Sequence, residues 1–160
     1  MCDGLLLLER PCALDSEVFD TACCLGDLDA AKSLFAKGHV DIHYECDLPF
    51  QHACRNGHLA VAQWLHGLGD VDIHTCADQP FQMACCGGFL GTAKWLYSLG
   101  GVNIHCVSNQ PLWWAVTRGH AHVGRWLLAL DPEYAWPAAA VNKLKKWSGP
   151  RDAWMRAVVP

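Results

Sequence analysis

The sequence predicts an all-α solenoid of stacked helix-turn-helix repeats, and three features of its 160 residues lead to this prediction. The segment at residues 51–65 recurs every 31 residues without a gap, at residues 20–34, 82–96 and 113–127. Hydrophobic residues make up 52% of the chain, enough for a continuous core. Three residue types also return at fixed positions in every copy: Ala22, Ala53, Ala84 and Ala115; Gly26, Gly57, Gly88 and Gly119; Leu34, Leu65, Leu96 and Leu127. A fixed period of this length is typical of a repeat array.

We expect one compact unit with three parts. Residues 1–15 are predicted to form an N-terminal cap, in which the four leucines at 5–8 cover the open end of the first repeat, because terminal repeats need a partner face. Four repeats follow, at residues 16–46, 47–77, 78–108 and 109–130. Residues 131–160 lose the period but keep two helical stretches, 137–147 and 151–159, which predicts a helical C-terminal cap.

The second repeat illustrates the unit. Pro49 suits the first turn of a helix, where its missing N–H costs nothing. Apolar residues return at helical spacing from Phe50 until Gly57 ends this helix. His58 begins a second helix with a broad apolar face, and an extended loop leads to the next unit. In the first repeat, Ser16 is predicted to be the N-cap of the first helix.

Tryptophan recurs in the second helix, at Trp64, Trp95 and Trp126. A tryptophan column could be a binding platform, but at core spacing we expect these rings to bury between neighbouring repeats, about 150–250 Å² each.

Cysteine is abundant, with ten residues, and follows the repeat: Cys23, Cys54 and Cys85 directly follow the repeated alanine. Free cysteine behaves as a small buried hydrophobic residue. The leucines at 5–8 lack the basic flank and length of a signal peptide. We therefore expect reduced thiols in a cytoplasmic protein (the nucleus being possible) that is not secreted.

Charge excludes several classes of partner. The net charge is −4, and the basic residues of the C-terminal segment are too sparse for a nucleic-acid stripe. No apolar run approaches the length of a membrane span. We expect a monomer that binds neither nucleic acid nor membrane.

The repeats resemble the ankyrin repeat. The T-P-L-H-x-A signature of that family appears in altered form at residues 48–53, 79–84 and 110–115, and G-H-x-x-V-V-x-L-L is better kept at 57–65. The following G-A-D-V-N corresponds to residues 69–74, with histidine in place of asparagine. The resemblance covers residues 16–130. The sequences of the repeats are similar to those of degenerate ankyrin arrays in large DNA viruses of protists.

Two departures from the family pattern predict local differences. The period is 31 rather than about 33 residues, so we expect a hairpin loop that is shortened or lacks β pairing. The signature histidine, which usually bonds to neighbouring backbone, is replaced by Gln51, Gln82 and Trp113. The hydrogen-bond network around it must therefore differ.

Chemistry at a single site is not predicted. The histidines His43, His74 and His105 lie one repeat apart, and stacked helices are separated by about 8–10 Å, so they cannot share one metal ion. We interpret them as substitutes for the family's asparagine in backbone hydrogen bonding. Cys24 and Cys86 are predicted to be exposed on the first helix but have no neighbouring base. We expect no metal, no cofactor and no enzymatic activity.

The resemblance implies that a partner protein binds on the concave face, formed by hairpin tips and exposed first-helix positions. Trp113 or Trp114 could instead pack under the C-terminal cap. The candidate partner-binding residues are Tyr44, Asp47, His52, Arg55, Thr75, Asp78, Met83, Ser108, Asn109, Trp113, Trp114 and Thr117.

Two alternatives stay open. The chain could be an adaptor whose residues 131–160 dock a second protein, as in a ubiquitin-ligase assembly. It could also be a metal- or redox-responsive module using its thiols and histidines. The identity of the partner is not predictable, because repeat arrays share a core and differ in surface.

Overall fold

The computed structural model describes residues 13–69 and 71–146, and within them the regular secondary structure consists of helices without strands, which confirms the predicted all-α solenoid. The helices form four pairs followed by one single helix. The bounds are α1 (Ala13–Leu25), α2 (Leu28–Ala36), α3 (Tyr44–Arg55), α4 (Leu59–Gly67), α5 (Thr75–Gly87), α6 (Leu90–Leu99), α7 (Cys106–Thr117), α8 (Ala121–Leu130) and α9 (Ala138–Lys146). The predicted N-terminal cap up to residue 12 and the last predicted helix, 151–159, lie outside the described residues.

The pairs stack through their first helices. Helix α3 packs between α1 and α5, and α5 between α3 and α7, whereas successive second helices approach each other less closely. The first helices are therefore the closely spaced side of the stack. Three fully or almost fully buried positions on each first helix build the core, as the repeat predicted: Phe19, Phe50, Phe81 and Leu112; Ala22, Ala53, Ala84 and Ala115; Cys23, Cys54, Cys85 and Val116.

The tryptophans of the second helices lie between repeats, half-buried against the core. Each meets an aromatic ring of the preceding second helix edge-on: Phe35 with Trp64, His66 with Trp95, and Tyr97 with Trp126. The ring centroids are 5.7–5.8 Å apart and the planes cross at 87–90°. This is the edge-to-face arrangement that aromatic pairs prefer.

Close packing explains three of the four glycines in one column, since nothing lies within 4 Å of a Cβ placed on Gly119. Gly57 ends its helix with φ +77°, and a Cβ there would overlap the ring of Phe89 in the next repeat. Gly26 and Gly88 face the rings of His58 and His120 in the same way. A larger residue would thus strain the backbone and also push neighbouring repeats apart.

The described loops between successive repeats contain no β strand, in keeping with a loop that lacks β pairing, and a left-handed turn begins each following helix. Residues 45–47, 76–78 and 107–109, at the start of α3, α5 and α7, all have φ between +45° and +66°. The right-handed helix follows each turn. The third residue of each turn is Asp or Asn, whose short polar side chain tolerates this conformation best.

Glutamine secures two of these turns from the position of the missing signature histidine. Nε2 of Gln51 donates to the Cys46 carbonyl at 2.7 Å, and Nε2 of Gln82 donates to the Ala77 carbonyl at 2.6 Å. Both glutamines are buried. The sequence predicts an altered hydrogen-bond network at this position. In it, a glutamine side chain bonds to a backbone carbonyl in the turn of its own repeat.

Buried polar side chains link each repeat to the next at one further position, a set that we call the polar column: Ser16, Asp47, Asp78 and Asn109. Oδ2 of Asp78 accepts the N–H of Asn103 at 3.0 Å, and Oδ2 of Asp47 accepts the N–H of Asp72 at 3.4 Å. The prediction that Ser16 is an N-cap is wrong. Ser16 lies within α1, and its Oγ accepts the N–H of Asp41 at 3.1 Å. The column joins successive repeats through their loops.

The loop histidines His43, His74 and His105 contact members of the polar column. This corrects the interpretation that their side chains bond to backbone. Nδ1 of His43 donates to Asp47 and Nδ1 of His74 donates to Asp78, each at 2.6 Å. In the fourth repeat, Nδ1 of His105 lies 2.8 Å from Oδ1 of Asn109. Each histidine therefore orients a polar side chain four residues later.

The C-terminal helix α9 covers the last repeat. Ala140 and Leu144 are fully buried, and Leu144 packs where α8 has Gly124 instead of a larger residue. Before α9, the Tyr134 ring stacks on His105 with centroids 3.6 Å apart. The segment thus takes the place of a fifth repeat.

Among the described residues, we find no helix with the length and apolar character needed to cross a membrane.

Candidate functional site

The exposed side of α1, α3, α5 and α7 carries three columns of residues at the repeat spacing, which we call the first-helix face. Its members are Glu17, Leu48, Gln79 and Gln110; Thr21, His52, Met83 and Trp114; Cys24, Arg55, Cys86 and Thr117. All except Cys86 are half-buried or exposed. Unlike the core columns, these columns differ in residue type between repeats, apart from the glutamine shared by Gln79 and Gln110. The first-helix face therefore has a different composition at each repeat.

A shallow depression lies on this face between α3 and α5, with a volume of about 140 Å³. Its walls are formed by Leu48, Gln51, His52, Arg55, Gln79 and Met83. Pockets for small-molecule ligands usually measure about 300–1,000 Å³. The depression is therefore on the scale of one side chain of a partner rather than of a cofactor.

A hydrogen bond between repeats lies at the rim of the depression. Nδ1 of His52 lies 2.9 Å and 3.0 Å from the two carboxylate oxygens of Asp20 on α1. Both side chains are largely shielded from solvent. The contact joins α3 to α1 and orients the His52 imidazole.

Arg55 differs from His52, because its side chain is exposed. Within the part of the chain that the structure describes, no carboxylate forms an ion pair with it. Its guanidinium group, with five donors in a planar fork, is free to bind a carboxylate of another molecule.

The structure brings five of the predicted partner-binding residues onto the first-helix face: His52, Arg55, Met83, Trp114 and Thr117. Leu48 and Gln79 were missed by the sequence reasoning, although both stand at the repeat spacing beside the residues that it selected. The repeat period could have identified them, since Leu48 and Gln79 directly precede Pro49 and Pro80, which lie one repeat apart.

Three predicted tip residues are not exposed, which corrects their placement. Asp47 and Asp78 have 6% of their surface exposed and Asn109 has 8%, because they form the polar column between repeats. Tyr44 and Thr75 are half-buried, and Ser108 is exposed at the left-handed turn. Of the predicted tip residues, only Tyr44, Thr75 and Ser108 could reach a partner without breaking contacts between repeats.

The two adjacent tryptophans of α7 separate. Trp113 packs against the hydrophobic core, at the position of the buried glutamines, and Trp114 lies on the first-helix face; both side chains are half-buried. Oγ1 of Thr117 donates to the Trp113 carbonyl at 2.7 Å. Both tryptophans therefore remain candidates for partner contact, Trp114 on the first-helix face and Trp113 beside the core.

The thiols are mostly core groups. Cys86 is buried, contrary to the prediction, because this short side chain does not extend beyond its neighbours; Cys24 is half-buried. Burial raises the pKa of Cys23 to about 12 and that of Cys106 to about 11. It also raises the pKa values of Cys54 and Cys85. These four thiols are therefore poor nucleophiles.

Neither alternative function gains a site in the described ranges, 13–69 and 71–146. No three His, Cys, Asp or Glu side chains there are grouped so as to hold a metal ion. The described part of the proposed adaptor segment, up to Lys146, packs on α7 and α8 through α9. The rest of that segment lies outside the described residues.

Comparison with known proteins agrees with the geometry. A family model for ankyrin repeats (3 copies) matches residues 50–135, and one for ankyrin repeats (many copies) matches residues 19–66. A search of curated proteins finds no match. Since the first family match alone covers more than half of the sequence, the chain belongs to the ankyrin repeat family.

Proposed function

We propose that this protein is a non-enzymatic binding module whose partner protein contacts the first-helix face. Ankyrin repeats generally serve as protein–protein interaction modules without enzymatic activity. The partner site itself is our assignment to this chain, and we also propose that the module acts as a monomer.

One observation carries the proposal: residue types are kept from repeat to repeat in the core, but they vary on the first-helix face. The core repeats its residue types, such as Phe19, Phe50 and Phe81, while the face changes from Thr21 through Met83 to Trp114. Packing between repeats explains the constant positions, since each repeat must fit the next. It does not call for a different chemistry at each exposed position, whereas recognition of one particular partner does.

The position of the face within the stack also supports the proposal. The first helices are more closely spaced than the second helices, so their exposed residues lie near one another across repeats. Trp114 and Arg55 are of the residue types that dominate the energetics of protein interfaces. Together they offer a surface that a partner could contact over several repeats.

We further propose a reducing compartment, the cytoplasm or the nucleus, as the place of action. The support is that Cys23, Cys54 and Cys85 serve as packed core residues in successive repeats.

The experiment is affinity capture of partners by the intact chain and by two triple variants. The test variant carries His52→Ala, Met83→Ala and Trp114→Ala on the first-helix face. The matched control carries Lys32→Ala, Gln63→Ala and Lys94→Ala, which are exposed and also one repeat apart, but on α2, α4 and α6. Equal helical circular dichroism of all three proteins shows that they are folded.

We expect the intact chain and the control to retain the same partner, and the test variant to lose it. A partner that is kept by the test variant and lost by the control would refute the face assignment and move the site to the second helices. A partner kept by both variants would direct attention to the C-terminal segment.

A further inference from the structure

The charge of the first-helix face changes along the stack. On α1 it is acidic, with Glu17 exposed and Asp20 engaged by His52. On α3 it carries the exposed Arg55, and the face positions of α5 and α7 are all uncharged. Over α3, α5 and α7, a ligand therefore meets one free cation and no exposed carboxylate from the face itself.

The depression beside Arg55 is suited to an apolar side chain. Leu48 and Met83 lie on its walls, and its volume is about 140 Å³. Filling it with an aliphatic side chain would bury apolar surface on both partners. Because Arg55 lines the same depression, a carboxylate and an apolar group can be satisfied by neighbouring residues of one segment.

Trp114 adds a second apolar contact one repeat further along. Successive helices lie about 8–10 Å apart, and an extended chain advances about 3.3 Å per residue. The depression lies between α3 and α5, so Trp114 on α7 is about one and a half spacings, roughly 12–15 Å, beyond it. A segment running along the face would therefore reach Trp114 about four residues beyond the residue in the depression.

We propose, building on the function proposed above, that the partner presents an extended acidic segment to this face. Its carboxylate binds Arg55, an adjacent apolar side chain fills the depression between Leu48 and Met83, and a second apolar side chain packs on Trp114. The protein carries a net charge of −4, so long-range attraction does not favour an acidic ligand. Selectivity comes from the local contact with Arg55 instead.

The test begins with selection from a random library of twelve-residue peptides displayed on phage, with the intact chain as bait. We expect enriched peptides to carry Asp or Glu within two residues of Leu, Ile, Met or Phe. The best peptide is then synthesised together with its Glu→Gln or Asp→Asn form. Binding of both is measured by fluorescence anisotropy to the intact chain, to Arg55→Gln and to the control Lys94→Gln on α6.

Removing either charge should weaken binding about fivefold, as expected for an accessible ion pair worth about 1 kcal/mol. Removing both should cost little more than removing one, because the two groups act on each other. Lys94→Gln should bind as the intact chain does. Raising the salt concentration should weaken the acidic peptide and leave its neutral form nearly unchanged.

The inference is overturned if no peptide is enriched, if the enriched peptides lack acidic residues, or if Arg55→Gln binds them unchanged. Its failure remains distinguishable from failure of the proposed function. Peptides without an acidic preference that are lost by the triple variant His52→Ala, Met83→Ala, Trp114→Ala would keep the first-helix face as the binding site. Peptides bound equally by that variant would argue against both.

Discussion

At the scale of single residues, the polar column uses aspartate and asparagine for different neighbours. Asp78 faces a backbone N–H of the next repeat, which only an acceptor can satisfy. Asn109 faces the Tyr134 hydroxyl, which can accept, and Nδ2 of Asn109 donates to it at 3.3 Å. Asp78 thus meets a requirement for an acceptor, whereas the Tyr134 hydroxyl can pair with either an amide or a carboxylate at residue 109.

This leads to a reciprocal prediction about stability. Asp78→Asn removes the charged acceptor from the His74 and Asn103 N–H groups and should lower the free energy of unfolding by about 1–3 kcal/mol. Asn109→Asp should change it by less than about 1 kcal/mol, since a carboxylate can accept from the Tyr134 hydroxyl. Urea denaturation followed by circular dichroism measures both.

Both substitutions leave a residue type that tolerates the left-handed backbone, so conformational strain does not differ between them. Equal losses of stability in the two variants would show that the hydrogen bonds between repeats do not explain the choice of residue.

Thiol reactivity gives a second prediction at this scale. Cys46 and Cys76 are exposed, whereas Cys23, Cys54 and Cys85 are buried and have raised pKa values. A short pulse of iodoacetamide at about pH 8 should therefore label the first two and spare the other three until urea is added. Peptide mass spectrometry identifies the labelled residues.

The sign of the pH dependence follows from the direction of the shift. Burial raises the pKa of Cys23 from 9.0 to about 12. Its stabilising effect is therefore complete below pH 9 and is lost as the pH rises towards 12. Rapid labelling of Cys23 or Cys54 in the folded protein at pH 8 would contradict their burial.

At the scale of elements, the left-handed turns place ordinary residues in a conformation that costs roughly 1 kcal/mol or more each. Ala77 has φ +59° and an exposed side chain. Ala77→Gly should therefore stabilise the protein by about 1 kcal/mol, because glycine adopts this conformation freely. The change is measured as a shift of the urea midpoint at unchanged slope.

The matched control is Ala60→Gly, at an exposed position in the right-handed helix α4. There the same substitution should destabilise by about 0.5–1 kcal/mol. If both variants lose stability alike, residues 76–78 do not hold the left-handed conformation in solution.

The elements also show what the sequence could and could not predict. The apolar columns located the core correctly, because burial within a repeat leaves the same residue type at each period. The buried Asp47 and Asp78 were missed, since an acidic residue beside a loop resembles a solvated tip and its partner lies 25 residues away in the next repeat. A signal was present: each follows a histidine by four residues at the repeat spacing.

The same limit applies to the candidate site. The period located His52, Met83 and Trp114, but it did not reveal the depression between α3 and α5. A depression is a property of two helices packed together, and it depends on how the Leu48 and Gln79 side chains are arranged across them.

At the scale of the whole molecule, each repeat of the described array touches its neighbours only. Helix α1 contacts α3, α3 contacts α5, α5 contacts α7, and α7 contacts α9. Stability in such an array is approximately a sum of repeat and nearest-neighbour contributions. A defect at one end should therefore loosen that end first, whereas a defect in the middle should loosen both sides.

Two leucines test this expectation, because both are fully buried but differ in place: Leu65 in the second repeat and Leu144 in α9. Each substitution to alanine should cost about 2–5 kcal/mol of local stability. Leu144→Ala should raise amide hydrogen exchange in α7, α8 and α9 and leave α1 to α4 protected, while Leu65→Ala should raise exchange in α1 to α6. Exchange followed by mass spectrometry resolves the two patterns, and a uniform rise throughout the array in Leu144→Ala would mean that the repeats unfold as one cooperative unit.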